Sequence, residues 1–233
     1  MSVTEPPDDR RGIDYQRLYA YRFRDVDQVR RQAIWDELTP LLSRWLGSPK
    51  RVLDPAAGRG EFVNASDAEE RWVVDSVEYD ETVRDPEVKV VIGDARFVAL
   101  PEAHFDGVFV SNLLEHLATQ DDVARFLRRM RQCMSPSGRI AVLGPNFRYC
   151  HREYFDFADH TLALTHIAVA EHLYSAGFEI ERVVPRFIPY SFRSRLPQAP
   201  WLVRLYLRVP MAWRVLGRQF LIVAIKPADV ASA

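Results

Sequence analysis

Between Gly144 and His160 the chain concentrates groups that could move a proton: His151, Glu153, Tyr154, Asp156, Asp159 and His160. Imidazole is the side chain that changes charge nearest neutrality. A carboxylate close to it can hold its tautomer and stabilise its cation. The Asp159–His160 pair is therefore the first candidate for a general base, and His151 the second. The same residues also suit humbler roles, since Asp159 can cap the following helix and His160 can pack locally. Arg148, Tyr149, Tyr154 and Asp156 could line a substrate, although rings at Phe147, Tyr149, Tyr154, Phe155 and Phe157 equally suit core packing. Glu115 and His116 form a second ionisable pair. They, and the acids at 153, 156 and 159, are the candidates for a divalent cation such as Mg2+, which prefers oxygen ligands.

A second constellation is built to bind rather than react. Arg51 to Phe62 reads as a buried strand, then Asp54, Ala56, Gly58 and Gly60, then a helix start. Glycines at a strand-to-helix turn let backbone approach a ligand closely. A dinucleotide site would want GxGxxG, but Gly60 is followed by Glu61, Phe62 and Val63. An acid there is also unfavourable beside a pyrophosphate at a helix N-terminus. Asp75 closes the next strand, where a carboxylate can accept ribose hydroxyls. Asp94 and Ala95 follow a third strand, and Asn112 follows a fourth.

The elements that must position these groups alternate. Apolar residues Ile34, Leu38, Leu41, Leu42 and Trp45 recur at helical steps within Tyr15 to Trp45. Strands are expected at 51–53, 72–75, 88–92, 105–110, 139–143, 178–184 and 219–225. Helices are expected at 121–134 and 165–176, and Ser135 to Gly138 reads as a turn. This predicts an α/β, Rossmann-like, doubly wound sheet: seven-stranded, mostly parallel, with helices on both faces and a helical insertion before the last strand. Residues 1–12 read as a flexible tail and 13–233 as one domain, with a helical cap at 13–47 and the insertion at 190–216. That insertion mixes Trp201, Leu202, Leu205 and Leu207 with Arg204 and Arg208. An amphipathic basic helix of this kind could touch a membrane through 196–218, cover the site, form a homodimer contact, or simply pack on the core.

The run from Arg51 to Leu143 resembles the class I SAM-dependent methyltransferases (SAM is S-adenosylmethionine). Arg51 to Phe62 is similar to their first motif, with Ala56 where the family carries its first glycine. Phe105 to Leu117 and Ser135 to Leu143 resemble their fourth-strand motif and their turn into strand five. The resemblance implies that Asp54 orients the methionyl end of SAM through the loop, that Gly58 and Gly60 make room for it, that Asp75 takes the ribose, that Asp94 beside Ala95 takes the adenine amino group, and that Asn112 lies by the methionyl part. The later segments Pro145 to Tyr149, Asp159–His160 and Leu164–Thr165 resemble bacterial methyltransferases of glycan synthesis, the mycobacterial polymethylated-polysaccharide enzymes among them. That implies a sugar hydroxyl as acceptor; a lipid-linked or other small molecule is the runner-up. Glu115–His116 resembles the end of a Glu-x-x-Glu-His element in metal-assisted O-methyltransferases, with Asn112 in place of its first glutamate.

Composition narrows the rest. Net charge is -1, so no overall field draws the chain to nucleic acid, and Ser111–Asn112–Leu113–Leu114 stands where a nucleic-acid methyltransferase would carry an Asn-Pro-Pro-Tyr-like motif. Cationic residues are nearly all arginine, a bias that a GC-rich genome produces without function. Two cysteines, Cys133 and Cys150, lack metal-ligand or disulfide spacing. With no signal-peptide pattern and no long apolar run, a cytoplasmic location is expected. A non-catalytic SAM-binding partner protein is the rival of a different class, because cofactor binding and acceptor chemistry use different residues.

Overall fold

The structure, a computed structural model, describes residues 12–79, 83–190 and 199–228. Nearly all of the expected tail, and part of the expected insertion, lie outside them. Two helices come first, α1 (Tyr15–Arg22) and α2 (Gln28–Trp45). Then follow β1 (Arg51–Asp54), α3 (Glu61–Asn64), β2 (Glu70–Asp75), β3 (Lys89–Ile92), β4 (Phe105–Ser111), α4 (Gln120–Cys133) and β5 (Met134–Pro145). The chain closes with α5 (Phe147–Cys150), α6 (His166–Ser175), β6 (Glu179–Val184), α7 (Pro200–Leu207), α8 (Pro210–Leu216) and β7 (Gln219–Ile225). The strands make one seven-stranded sheet in the order β3-β2-β1-β4-β5-β7-β6. Only β7 runs against its neighbours.

The inner strands of the sheet are buried on both faces, so they are apolar at consecutive positions rather than alternating with polar ones, while the edge strands β3 and β6 are largely exposed. Neighbours such as Val52 and Leu53, or Phe109 and Val110, serve opposite cores because successive strand side chains point to opposite faces. On one face Leu53, Val74, Val108, Val110, Ile140 and Val142 meet α4 and α6 through Phe126, Leu127, Met130, Val169 and Leu173. On the other, Val52, Val73, Phe109, Ala141 and Leu143 meet α2 and α3 through Leu38, Leu42, Leu46 and Phe62. Each such Val, Leu, Ile, Phe or Met side chain, fully buried, contributes about 1.5–3 kcal/mol. Helix α4 starts where it does because Thr119 and Asp122 cap each other's backbone N–H.

Two expectations are corrected. The helix read across 15–45 is two helices, since Asp27 accepts from the Arg30 N–H and starts α2 afresh. The turn read at 135–138 lies inside β5. There Met134 faces Phe105 but Arg139 already faces Gly107, so the extra residues loop out of register. Ser137 turns left-handed at φ 62 to do this. A Cβ on Gly138 would press on three carbonyl oxygens at 3.0–3.1 Å.

Gly107 offers a direct check on this packing, because a Cβ there would stand 2.7 Å from the rigid ring of Pro49. Gly107→Ala is expected to cost about 1–3 kcal/mol, read as a lower urea midpoint at unchanged slope. An unshifted midpoint would mean the β1 entry is not fixed against β4.

Candidate active site

All the parallel strands end on one edge, and the chain reverses its direction of growth at β1, between β2 and β4. A crevice must open there, and the glycine turn after β1 lines it. The Asp54 side chain folds back to accept from the Ala56 N–H at 3.3 Å. Burial pushes its carboxyl up to about 8, against the pull of that N–H and with Asp75 and Glu61 close by. Gly58 and Gly60 adopt left-handed φ of 54 and 81, as a turn this tight requires. A Cβ on Gly58 would meet nothing within 4 Å, so open space lies over the loop. Among the described residues the left-handed non-glycine positions are Ser48, Ala103, Asn112 and Ser137. Ala56 therefore keeps ordinary backbone, which is why alanine serves there.

The other ends complete the crevice. One Asp75 oxygen accepts from the Gly58 N–H at 2.6 Å and the other from Val77 at 2.8 Å. Burial raises this carboxyl, while those N–H groups and Arg84 pull it down. Arg84 donates to the Gly58 carbonyl and lies along Gly60. Buried Glu61 pairs with Arg31 of α2. Asp94 is gripped by Arg96, whose guanidinium donates at 3.0 and 2.6 Å, and Ala95 is buried behind it. Asn112, left-handed at φ 49, is exposed at the end of β4 and donates to Ser111 Oγ.

A second group lies beyond Asn112. The short turn Leu114–His116 is tied to the 159–162 segment by Thr161 and Leu162 N–H groups donating to the Glu115 carbonyl at 2.9 and 3.2 Å. This brings Glu115, His116 and His160 together, with one ligand-capable atom from each lying within 4.8 Å of the others. Burial raises the Glu115 carboxyl against the pull of His116. Burial, with the charge of His116 added, pulls the His160 imidazole down to about 4. Its ring hydrogen-bonds the Tyr154 backbone, and buried Nδ1 has no partner among the described residues.

The expected Asp159–His160 pairing is not what the structure contains. Asp159 accepts from Arg22 of α1 at 3.1 and 2.5 Å. Its own carbonyl stands 3.0 Å from His116 Nδ1, with a carboxylate oxygen at 3.5 Å. Successive residues on an irregular segment point apart, so the carboxylate sits behind His116 while His160 stacks on Phe157. Burial raises the Asp159 carboxyl, but the Arg22 hydrogen bond and the charges of His116 and Arg22 outweigh it and leave it lowered.

Other expected residues fall elsewhere. His151, Arg148 and Asp156 are exposed, and His151 packs its ring beside Phe147 rather than joining the cluster. Tyr149 stacks with His166 beneath Arg186. Tyr154 is fully buried and donates to the Leu162 carbonyl at 2.7 Å, so it is a structural post and not a substrate contact. Tyr154 and Phe157 pack on His160, Phe157 also meets Tyr190, and Tyr19 of α1 lies beneath the Arg22 guanidinium. Burial and then Asp159 raise the Tyr19 phenol, and Asp75 adds to this, so Tyr19 is a neutral group. Sequence reasoning missed Tyr19, Arg22 and Arg84, and in an arginine-rich chain nothing local marks them.

The chain belongs to a methyltransferase family: the family model described as "Methyltransferase domain" matches residues 28–181. It is a SAM-dependent methyltransferase. No curated protein matches it. Among solved structures it is similar to a SAM-dependent methyltransferase from Archaeoglobus fulgidus, with TM-score 0.63, 21% identity, and coverage of 91% of this chain and 100% of that one. A possible histamine N-methyltransferase from Thermotoga maritima gives TM-score 0.63 and 16% identity over 91% and 96%. The 1,6-didemethyltoxoflavin-N1-methyltransferase of Burkholderia thailandensis gives 0.61 and 20% over 97% and 93%. At these identities the likeness is one of fold.

The crevice residues fit SAM. Open space over Gly58 leaves room for it, and the Asp75 oxygens, each accepting one backbone N–H, keep further lone pairs for ribose hydroxyls. Asp75→Ala is expected to weaken binding of S-adenosylhomocysteine about tenfold, or ~1.4 kcal/mol, by calorimetric titration; unchanged affinity would remove the ribose role.

Arg22→Ala should destabilise by up to about 3–5 kcal/mol, less where α1 lifts and lets water reach Asp159. Because the Asp159 carboxyl is lowered on folding, its contribution is present above the ordinary value of about 3.9 and lost as pH falls through the lowered one. The melting difference between wild type and variant should therefore be full at pH 6 and shrink toward pH 3. A pH-independent difference would place the effect in packing alone.

Proposed function

We propose that the enzyme transfers a methyl group to a hydroxyl of a sugar or oligosaccharide. The observation that carries this reading is the convergence of Glu115, His116 and His160 beside the crevice, with Asp159 backing His116. A hydroxyl is a poor nucleophile until its proton leaves, so a base is needed there; a neutral amine attacks through a lone pair it already has. SAM supplies an electrophilic methyl group on a sulfonium. His116 is the base in this reading, replacing His160. Its Nδ1 side is fixed by Asp159, whose carboxylate stabilises the imidazolium that forms. His160, neutral at working pH, packs edge-on against His116 with ring centroids 4.9 Å apart and holds that ring in place. Phe157 and Tyr190 supply flat apolar faces of the kind that suit sugar rings, and α1 with Tyr19 and Arg22 excludes water. The acceptor proton would pass to His116 as the oxygen–methyl bond forms and the methyl–sulfur bond breaks, its electron pair staying on sulfur to give S-adenosylhomocysteine.

A second reading rests on the same geometry. Two imidazoles and a carboxylate with ligand atoms within 4.8 Å could hold a divalent cation. Such a cation would polarise the hydroxyl in place of the base. Activity abolished by EDTA and restored by one added metal would select it; indifference to EDTA would reject it.

The direct test is transfer of labelled methyl to panels of sugar, lipid-linked and amine acceptors, with the product mapped by mass spectrometry. O-methylated sugar supports the proposal, and methyl only on nitrogen overturns it. His116→Ala is expected to lower turnover by about 10²–10⁴-fold with S-adenosylhomocysteine affinity kept. Normal turnover would remove His116 as the base.

A further inference from the structure

Helices α7 and α8 fill the connection between β6 and β7. Both ends of that connection lie at the active edge, where Val184 and Leu143 pair with Leu221 and Pro145 pairs with Gln219. The inward side of the pair is well anchored. Tyr206, Leu207 and Trp213 join the core with Phe187 and Trp45. The Tyr206 hydroxyl donates to the Phe187 carbonyl, and the Trp213 indole donates to the Tyr206 carbonyl.

The outward side is the anomaly. Trp201 and Leu205 stand one turn apart on α7, and Met211 and Val215 stand one turn apart on α8. Their exposures are 64%, 53%, 64% and 70%, and Val209 and Leu216 between and after them are exposed as well. A single exposed apolar side chain needs no explanation, but a row of them does. The exposed polar positions on the same two helices and their link are Arg204, Arg208 and Arg214. Pro185 to Arg218 holds seven arginines and no Asp or Glu, in a chain of net charge -1. Some of these cations are used internally. Arg204 pairs with Glu37, Arg218 with Glu153, and Arg186 donates to the Val215 and Gly217 carbonyls. Arg208 and Arg214 remain exposed around the apolar row.

We propose that this face docks on an anionic bilayer surface. Trp201, Leu205, Met211 and Val215 enter the boundary between headgroups and acyl chains, and Arg208 and Arg214 meet lipid phosphates. Neither helix is long enough to span, so the contact is peripheral. Two alternatives fit less well. A second copy placed two-fold on this face would set arginines against arginines, since a two-fold contact uses the same patch twice. A nucleic acid would satisfy the cations but leave the aliphatic row without a partner. The contact would hold the active edge beside the membrane. It does not rest on the sugar reading, because docking uses none of the acceptor residues.

The test is flotation of the full chain with vesicles of phosphatidylcholine alone or with 30 mol% phosphatidylglycerol. Binding is expected only with the anionic lipid, falling as salt is raised. Trp201→Ser with Met211→Ser should weaken it at least tenfold, and Arg208→Gln with Arg214→Gln should weaken it and flatten its salt dependence. Unchanged affinity for S-adenosylhomocysteine shows that each variant is folded. Absence of binding by protein that still binds S-adenosylhomocysteine overturns the proposal, as does full binding by the Trp201/Met211 variant. A dimer in sedimentation velocity that this variant abolishes would assign the face to a second copy and equally overturn it.

Discussion

Strand β1 has β2 on one side and β4 on the other, all three parallel. The chain grows outward through β2 and β3 and then returns to the other side of β1. Helices leaving β1 and β4 must cover opposite faces of the sheet, and the cleft between them is the place where chain segments far apart in sequence can share a ligand. The opposite edge of the same strands is clamped shut. Asp106, near the start of β4, accepts from the Lys50 and Arg51 N–H groups at 3.0 and 3.1 Å and from the Arg51 guanidinium. One acid thus sets the stagger of β4 against β1. With that stagger fixed, the Asp54 loop and Asn112 come out beside one another at the far end.

The turn after β1 was legible because its signals are local. An acid ending a strand, a glycine turn and a helix start lie within about a dozen residues, and backbone geometry alone places them. The same holds for the sheet: runs of apolar β-branched residues between turns fix strands whatever their partners are. Ala56 shows why one missing glycine did no harm, since the conformation there demands none.

The Glu115–His116–His160 cluster was only partly legible. Its composition stood out, but which carboxylate serves which imidazole depends on side-chain direction along an irregular segment. Adjacency in sequence suggested Asp159 with His160; adjacency in space gives Asp159 with His116 and Arg22. Tyr154 had the chemistry of a substrate contact and the burial of a core residue, and no pattern in its neighbours separates the two. His116 was visible only as half of a weak metal candidate, because its partner arrives from 43 residues further along.

The Arg22–Asp159 bond joins residues 137 positions apart. Helix α1 has eight residues and buries none of them fully. A helix that short is marginal on its own in water, so it exists as a helix chiefly while it is docked. Its coil-to-helix equilibrium and the Arg22–Asp159 bond are then coupled. A local opening in which α1 peels away would break that bond and leave the strands and the glycine loop intact. That partial unfolding would open the Asp159–His116 pair to solvent without a hinge between rigid bodies.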